Sequence, residues 1–148
     1  MTENRFNGAI NRYNYALTLA DMTVTSSKRN GNVTFNDILY LNMIRYISDC
    51  TASKIADAAH VAKSSVTVKI NSLCDRGLVV RKRSEDDGRV WYLGLSPGVE
   101  ETFVMEDAML SDAFAILMEK YSNEDLEMFC DILEEISTGL QEACDTKE

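Results

Sequence analysis

The chain has 148 residues, 45% of them hydrophobic and 26% charged, which suits one folded domain of ordinary globular composition. No apolar run approaches the ~18 residues that span a bilayer, and the start Met1–Asn4 lacks the basic and apolar character of a signal peptide. A cytoplasmic protein without a membrane role is therefore expected, and its net charge of −9 argues against a polyanion partner until the charges are located along the chain.

In chain order, Phe6, Ile10, Tyr13, Leu17, Ala20 and Val24 recur every three or four residues and predict an amphipathic N-terminal helix. The polar, Gly-containing Ser26–Asn32 reads as a loop. Thr34, with Asp37 three residues on, is close to a capping box and opens a second apolar run to Ile47. Thr51–Ala59 is a short helix with Ile55, Ala56 and Ala59 on one side; His60, Val61 and Ala62 form a tight turn. Lys63–Arg76 is the next helix, with Val66, Ile70 and Leu73 turned inward and Gly77 ending it. Two helices joined by about three residues make a helix-turn-helix.

The basic run Val79–Arg83 and the aromatic run ending at Leu95 enclose an Asp-Gly pair, the signal for a tight hairpin. Ser96 and Pro97 then suit the start of a helix reaching about Tyr121, with Glu100 and Glu101 in its first turn. In the last helix Leu126, Phe129, Leu133, Ile136, Leu140 and Ala143 follow steps of 3, 4, 3, 4 and 3, a heptad-like seam. The expected fold is mainly α with a small β wing: a winged helix-turn-helix flanked by N- and C-terminal dimerisation helices. Its lobe is residues 34–96, and residues 1–30 and 97–148 form the dimerisation region of a single domain, 1–148. The interface would use Ile10, Leu126, Phe129, Leu133, Ile136 and Leu140, because the terminal helices are longer than the middle can cover.

Charge divides along the same lines. Residues 51–96 carry eight basic and five acidic side chains, whereas residues 97–148 carry two basic and fifteen acidic. No acid occurs from Ala58 to Cys74, so only the middle third can meet a polyanion. The candidate DNA-binding residues there are Lys63, Ser64, Ser65, Thr67, Val68 and Lys69 on the helix, with Lys54, Arg81, Arg83 and Arg89 as phosphate contacts. Strand alternation sends Lys82 to the face opposite Arg81 and Arg83. Trp91 reads as a packing residue and His60 as a turn residue. Cys50, Cys74, Cys130 and Cys144 lie far apart with one histidine in the chain, which gives no zinc pattern; they read as buried, reduced thiols. No cofactor is expected. Phosphate loops, metalloprotease motifs and nucleophile elbows are missing from the sequence, which disfavours an enzyme.

Residues 51–79 and the following hairpin resemble the MarR family of winged-helix regulators. The most specific piece is Asp87-Gly88-Arg89, five residues, then Leu95-Ser96, which is similar to the family's D-x-R-x5-L-T/S wing signature. The resemblance implies a homodimeric repressor of a pseudo-palindromic double-stranded DNA operator, often released by a small-molecule effector. It implies that Asp87 pairs with Arg89 to hold the wing, with Ser84, Glu85 and Asp86 at an exposed tip. An effector crevice would lie beside the dimerisation helices, with Tyr13, Phe35, Tyr40 and Tyr46 as candidate lining. Two positions depart from the family: Gly88 stands where members often carry a basic residue, and Ala62 where they often carry a serine cap. The rival reading, from the acidic C-terminal segment and Gly88, is a winged-helix adaptor that binds protein rather than DNA.

Overall fold

The computed structural model describes residues 2–26 and 33–145. In order these are α1 (Glu3–Ser26), α2 (Phe35–Tyr46), α3 (Ala52–Ala58), α4 (Lys63–Asp75), β1 (Val79–Arg83), β2 (Trp91–Leu95), α5 (Pro97–Met118) and α6 (Asn123–Asp145). The expected loop after α1 lies, apart from Ser26, outside the described residues. Two compact units divide inside α5, residues 1–106 and 107–148.

In the first unit, local chemistry sets each boundary. Thr34 and Asp37 complete the capping box of α2: Asp37 N–H donates to Thr34 Oγ1 at 3.2 Å, and Thr34 N–H donates to Asp37 Oδ2 at 2.6 Å. Thr51 caps α3 by accepting from Lys54 N–H at 3.2 Å. Both helices of the helix-turn-helix end alike. Gly77 (φ 70°) follows α4, with Leu78 N–H on Leu73 O and Gly77 N–H on Cys74 O, each 2.9 Å. His60 (φ 50°) follows α3, with Val61 N–H on Ala56 O at 3.1 Å and His60 N–H on Asp57 O at 3.2 Å. This is the same pair of bonds in both, a left-handed residue satisfying the last carbonyls of the helix. His60 is thus the turn residue expected of it, in a conformation that glycine adopts with less strain.

β1 and β2 pair antiparallel from Val79↔Leu95 to Arg83↔Trp91. The ribbon is anchored at its root, where Leu93 N–H reaches Cys50 O at 2.8 Å and Ser96 N–H reaches Leu78 O at 3.0 Å. The core beneath joins Ile38, Leu41 and Ile44 of α2, Ile55 of α3, Val66, Ile70 and Leu73 of α4, Val79 and Leu93 of the ribbon, and Val99 and Phe103 from the start of α5. α1 contributes half-buried Phe6, Ile10, Leu17 and Ala20, while Tyr13 stays exposed.

In the second unit, Ser122 and Asp125 form another capping box at the start of α6, with Asp125 N–H on Ser122 Oγ at 3.2 Å and Ser122 N–H on Asp125 Oδ2 at 3.1 Å. The helix before it stops at Met118, a turn short of the expected Tyr121. Of the α6 seam, Leu126 is buried and Leu133 and Ile136 are half-buried; Phe129, Leu140 and Ala143 are exposed. The thiols differ from the expectation of four buried groups. Cys50 is buried and Cys74 half-buried, but Cys130 and Cys144 are exposed on α6. Burial pushes the Cys50 thiol up to about 11.

Candidate nucleic-acid interface

α4 turns Val66, Ile70 and Leu73 fully inward and leaves Lys63, Ser64, Ser65, Thr67, Val68, Asn71 and Ser72 on its outer side. Val68 is 69% exposed, an apolar side chain left largely to solvent. Ala62 gives α4 no side-chain cap, as the sequence implied. The Thr67 hydroxyl donates to Lys63 O at 2.8 Å, so it meets a ligand as an acceptor.

The cations fall into two groups. Lys63 and Arg89 are exposed, and their charged groups bond to nothing among the described residues. Lys54, Arg81 and Arg83 are each held by a neutral acceptor: Ser48 O at 2.7 Å, Asn71 Oδ1 at 2.6 Å and Gly88 O at 2.6 Å respectively. A neutral acceptor orders a cation without cancelling its charge, so these three stay available to phosphate in a fixed position. Lys82 projects from the other face, 78% exposed, with Glu85 Oε1 at 3.7 Å.

Lys69 is different, because its charge already has a partner within the protein. Its Nζ lies 2.7 Å from Oδ1 of Asp37, a side chain with no solvent exposure on α2. Arg76 grips the same carboxylate with both nitrogens, at 3.0 Å and 2.8 Å. Burial alone would push the Asp37 carboxyl up, but the hydrogen bonds from Arg76, Lys69 and Thr34 outweigh it and hold the group well below the usual carboxylate range. Asp37 and Arg76 were missed as site residues. The Thr34/Asp37 spacing announced the cap, but nothing local to it shows that the same carboxylate reaches across to α4.

The wing also corrects the sequence. Asp87-Gly88 is not a two-residue hairpin turn; the loop runs from Ser84 to Val90 and is closed by Ser84 N–H on Val90 O at 3.0 Å. Asp87 Oδ1 accepts from the backbone N–H of Arg89 at 3.0 Å, and no Asp87–Arg89 side-chain pair forms among the described residues. Carboxylate and amide are two residues apart, an Asx turn that leaves the guanidinium free. Ser84 is buried rather than at the tip, with its Oγ accepting from Asp87 N–H at 3.2 Å. Stiffness comes instead from Arg83, which bonds Gly88 O and lies over the half-exposed Trp91 ring at 6.0 Å. A Cβ at Gly88 would sit 2.8 Å from the Arg83 guanidinium, so a side chain there would displace it.

A cleft of about 260 Å³ lies between helix and wing, lined by Ala52, Ile70, Arg81, Trp91 and Leu93. Of the aromatics expected to line an effector crevice, Tyr40 is half-buried under Lys69, whose Nζ is 5.5 Å from the ring. Tyr13, Phe35 and Tyr46 are exposed. No group of three or more His, Cys, Asp or Glu able to hold a metal ion occurs among the described residues. No described helix is long and apolar enough to cross a membrane.

A helix-turn-helix with an ordered basic ribbon, between long helices, defines a winged-helix protein of the type that presents a recognition helix and a wing together. Residues 32–90 match the sequence model of the MarR family. That segment is a MarR-family winged helix, and the chain has the MarR-type fold. Streptococcus pneumoniae FabT, solved in complex with DNA, superposes with a TM-score of 0.70 at 20% identity, covering 96% of this chain and 99% of that one. Staphylococcus aureus MarR, solved with salicylate and kanamycin, gives 0.63 at 19% identity over 95% and 92%. Transcriptional regulator Tm0710 of Thermotoga maritima gives 0.63 at 18% over 99% and 100%. No curated protein matches the sequence.

Proposed function

We propose that the chain is a sequence-specific regulator of transcription, a repressor, that binds double-stranded DNA as a homodimer. The observation that carries this reading is the outer face of α4, without an acid before Asp75, beside a wing whose Arg81 and Arg83 are ordered by neutral acceptors. Ser64, Ser65, Thr67 and Val68 would meet base edges in the major groove, Val68 against a thymine methyl. Lys54, Lys63, Arg81, Arg83 and Arg89 would contact phosphate, with Arg89 at the minor groove or backbone. Lys69 is not among them.

Two recognition helices in a symmetric dimer would read half-sites about 34 Å apart, hence a pseudo-palindromic operator. The exposed Phe129 and Leu140 and the half-buried Ile10, Leu133 and Ile136 support the dimer by needing cover, with Leu126 beside them on α6. A small-molecule effector would release DNA by favouring a dimer arrangement with the wrong helix spacing.

The test is a salt titration of binding to the duplex upstream of the chain's own gene, against random duplex. Steeply salt-dependent binding that exceeds random by ~10³ or more is expected. Failure there, and then failure to enrich any duplex from a random library with dimeric protein, would replace this reading with the protein-binding adaptor.

A further inference from the structure

α4 is attached to the lobe in two ways. One is ordinary packing through Val66, Ile70 and Leu73, which are smooth aliphatic surfaces. The other is directional: a single buried carboxylate, Asp37, receives Lys69 from the middle of α4 and Arg76 from its C-cap. Those two residues are seven positions apart, about two turns or ~10 Å along the axis. Fixing a helix at two points on one side adds a directional constraint on its rotation about that axis to the one its three buried side chains impose. Asp37 is itself immobile, because its own Oδ2 closes the capping box of α2. The chain of attachment runs Thr34, Asp37, then Lys69 and Arg76, with Arg76 bidentate and so fixed in plane as well as in distance.

We propose that Asp37 is a positioning residue for DNA recognition, which sets the rotation of α4 through Lys69 and Arg76 and keeps the Lys69 charge from the phosphates. The proposal rests on the regulator reading above. It assigns Lys69 to base selection indirectly: which of Ser64, Ser65, Thr67 and Val68 reach the bases depends on how far α4 is turned. A rotation of one residue's worth, 100°, would exchange the outer face for another, so even a small fraction of it misplaces side chains that must meet base edges.

The experiment uses the full chain and two duplexes, one selected by the wild type from a random library and one random. Binding to each is measured across a range of salt. For Lys69→Met the salt slope on random duplex is expected to stay as in wild type, while the preference for selected over random duplex falls several-fold. A slope reduced by ~0.9, the signature of one lost phosphate contact, with preference intact would overturn the proposal. For Asp37→Asn the slope is expected to steepen by up to ~0.9 as Lys69 becomes free for phosphate, with the preference down ~10-fold or more. An unchanged preference in a variant with wild-type circular dichroism would overturn it. Should Asp37→Asn not fold, Lys69→Met decides alone, since the bidentate Arg76–Asp37 pair remains. If the wild type enriches no duplex, the regulator reading fails and takes the inference with it. Normal wild-type selection with two indifferent variants sinks the inference only.

Discussion

α4 and α6 are both amphipathic helices, and they have opposite fates. Val66, Ile70 and Leu73 of α4 have no solvent exposure, each fitted into a core drawn from α2, α3 and the ribbon. On α6 only Leu126 is buried among the described residues; Phe129 is 48% exposed and Leu140 62%. The same periodicity thus ends in a finished contact in one helix and an unfinished one in the other. Their polar faces differ as well. α4 carries no acid before Asp75, while α6 carries acids along its length. One helix has its apolar side satisfied and its polar side open to an anion. The other repels anions and has its apolar side open to another helix.

The largest expected effect breaks the unfinished contact. Leu133→Asp puts a charge into the seam and should convert a dimer into a monomer, with loss of operator affinity by ~10² or more as the second half-site is lost. Sedimentation velocity checks the first and binding to a full-length operator the second; a variant still dimeric would contradict the assigned interface. Next comes the finished contact. Ile70→Ala should cost about 2–5 kcal/mol in urea unfolding, since it empties a site with no exposure.

Arg89→Ala should weaken every duplex about equally and lower the salt slope by ~0.9, because its guanidinium has no partner to lose among the described residues. A changed sequence preference would instead place Arg89 on bases. Acid tests the buried tie that holds α4. The folded-state carboxyl of Asp37 lies below its unfolded value, so its stabilisation is full above about pH 4 and disappears as the pH falls further. Wild type should lose stability over that range more steeply than Asp37→Asn, as followed by urea midpoints. The smallest change sharpens the comparison at the start of α4. Ala62→Ser supplies the missing cap and should add about 1 kcal/mol or less, read as a shift of the urea midpoint.

Much of this was legible in the sequence because it depends on neighbours along the chain. Helix periods, the Thr34 cap, the glycine after α4 and the acid-free run to Cys74 all express interactions within about four residues, the reach of a helical turn. Of the Ser/Thr-x-x-Asp spacings in the sequence, two form capping boxes, and the one at Ser122 was not among the sequence expectations. The wing signature located the ribbon but misjudged its bonds, since an Asp beside an Arg can serve the backbone amide as readily as the guanidinium.

What the sequence determined by itself is the order of elements, the inward face of each and the charge of each third. Only the tertiary structure decided which cations are free. Lys69 and Lys63 look alike in sequence, six residues apart on one basic helix. Packing α2 against α4 brings a buried carboxylate from 32 residues away to one of them and not the other. A buried charge must find its partner wherever the fold places one, and sequence separation carries no information about that distance.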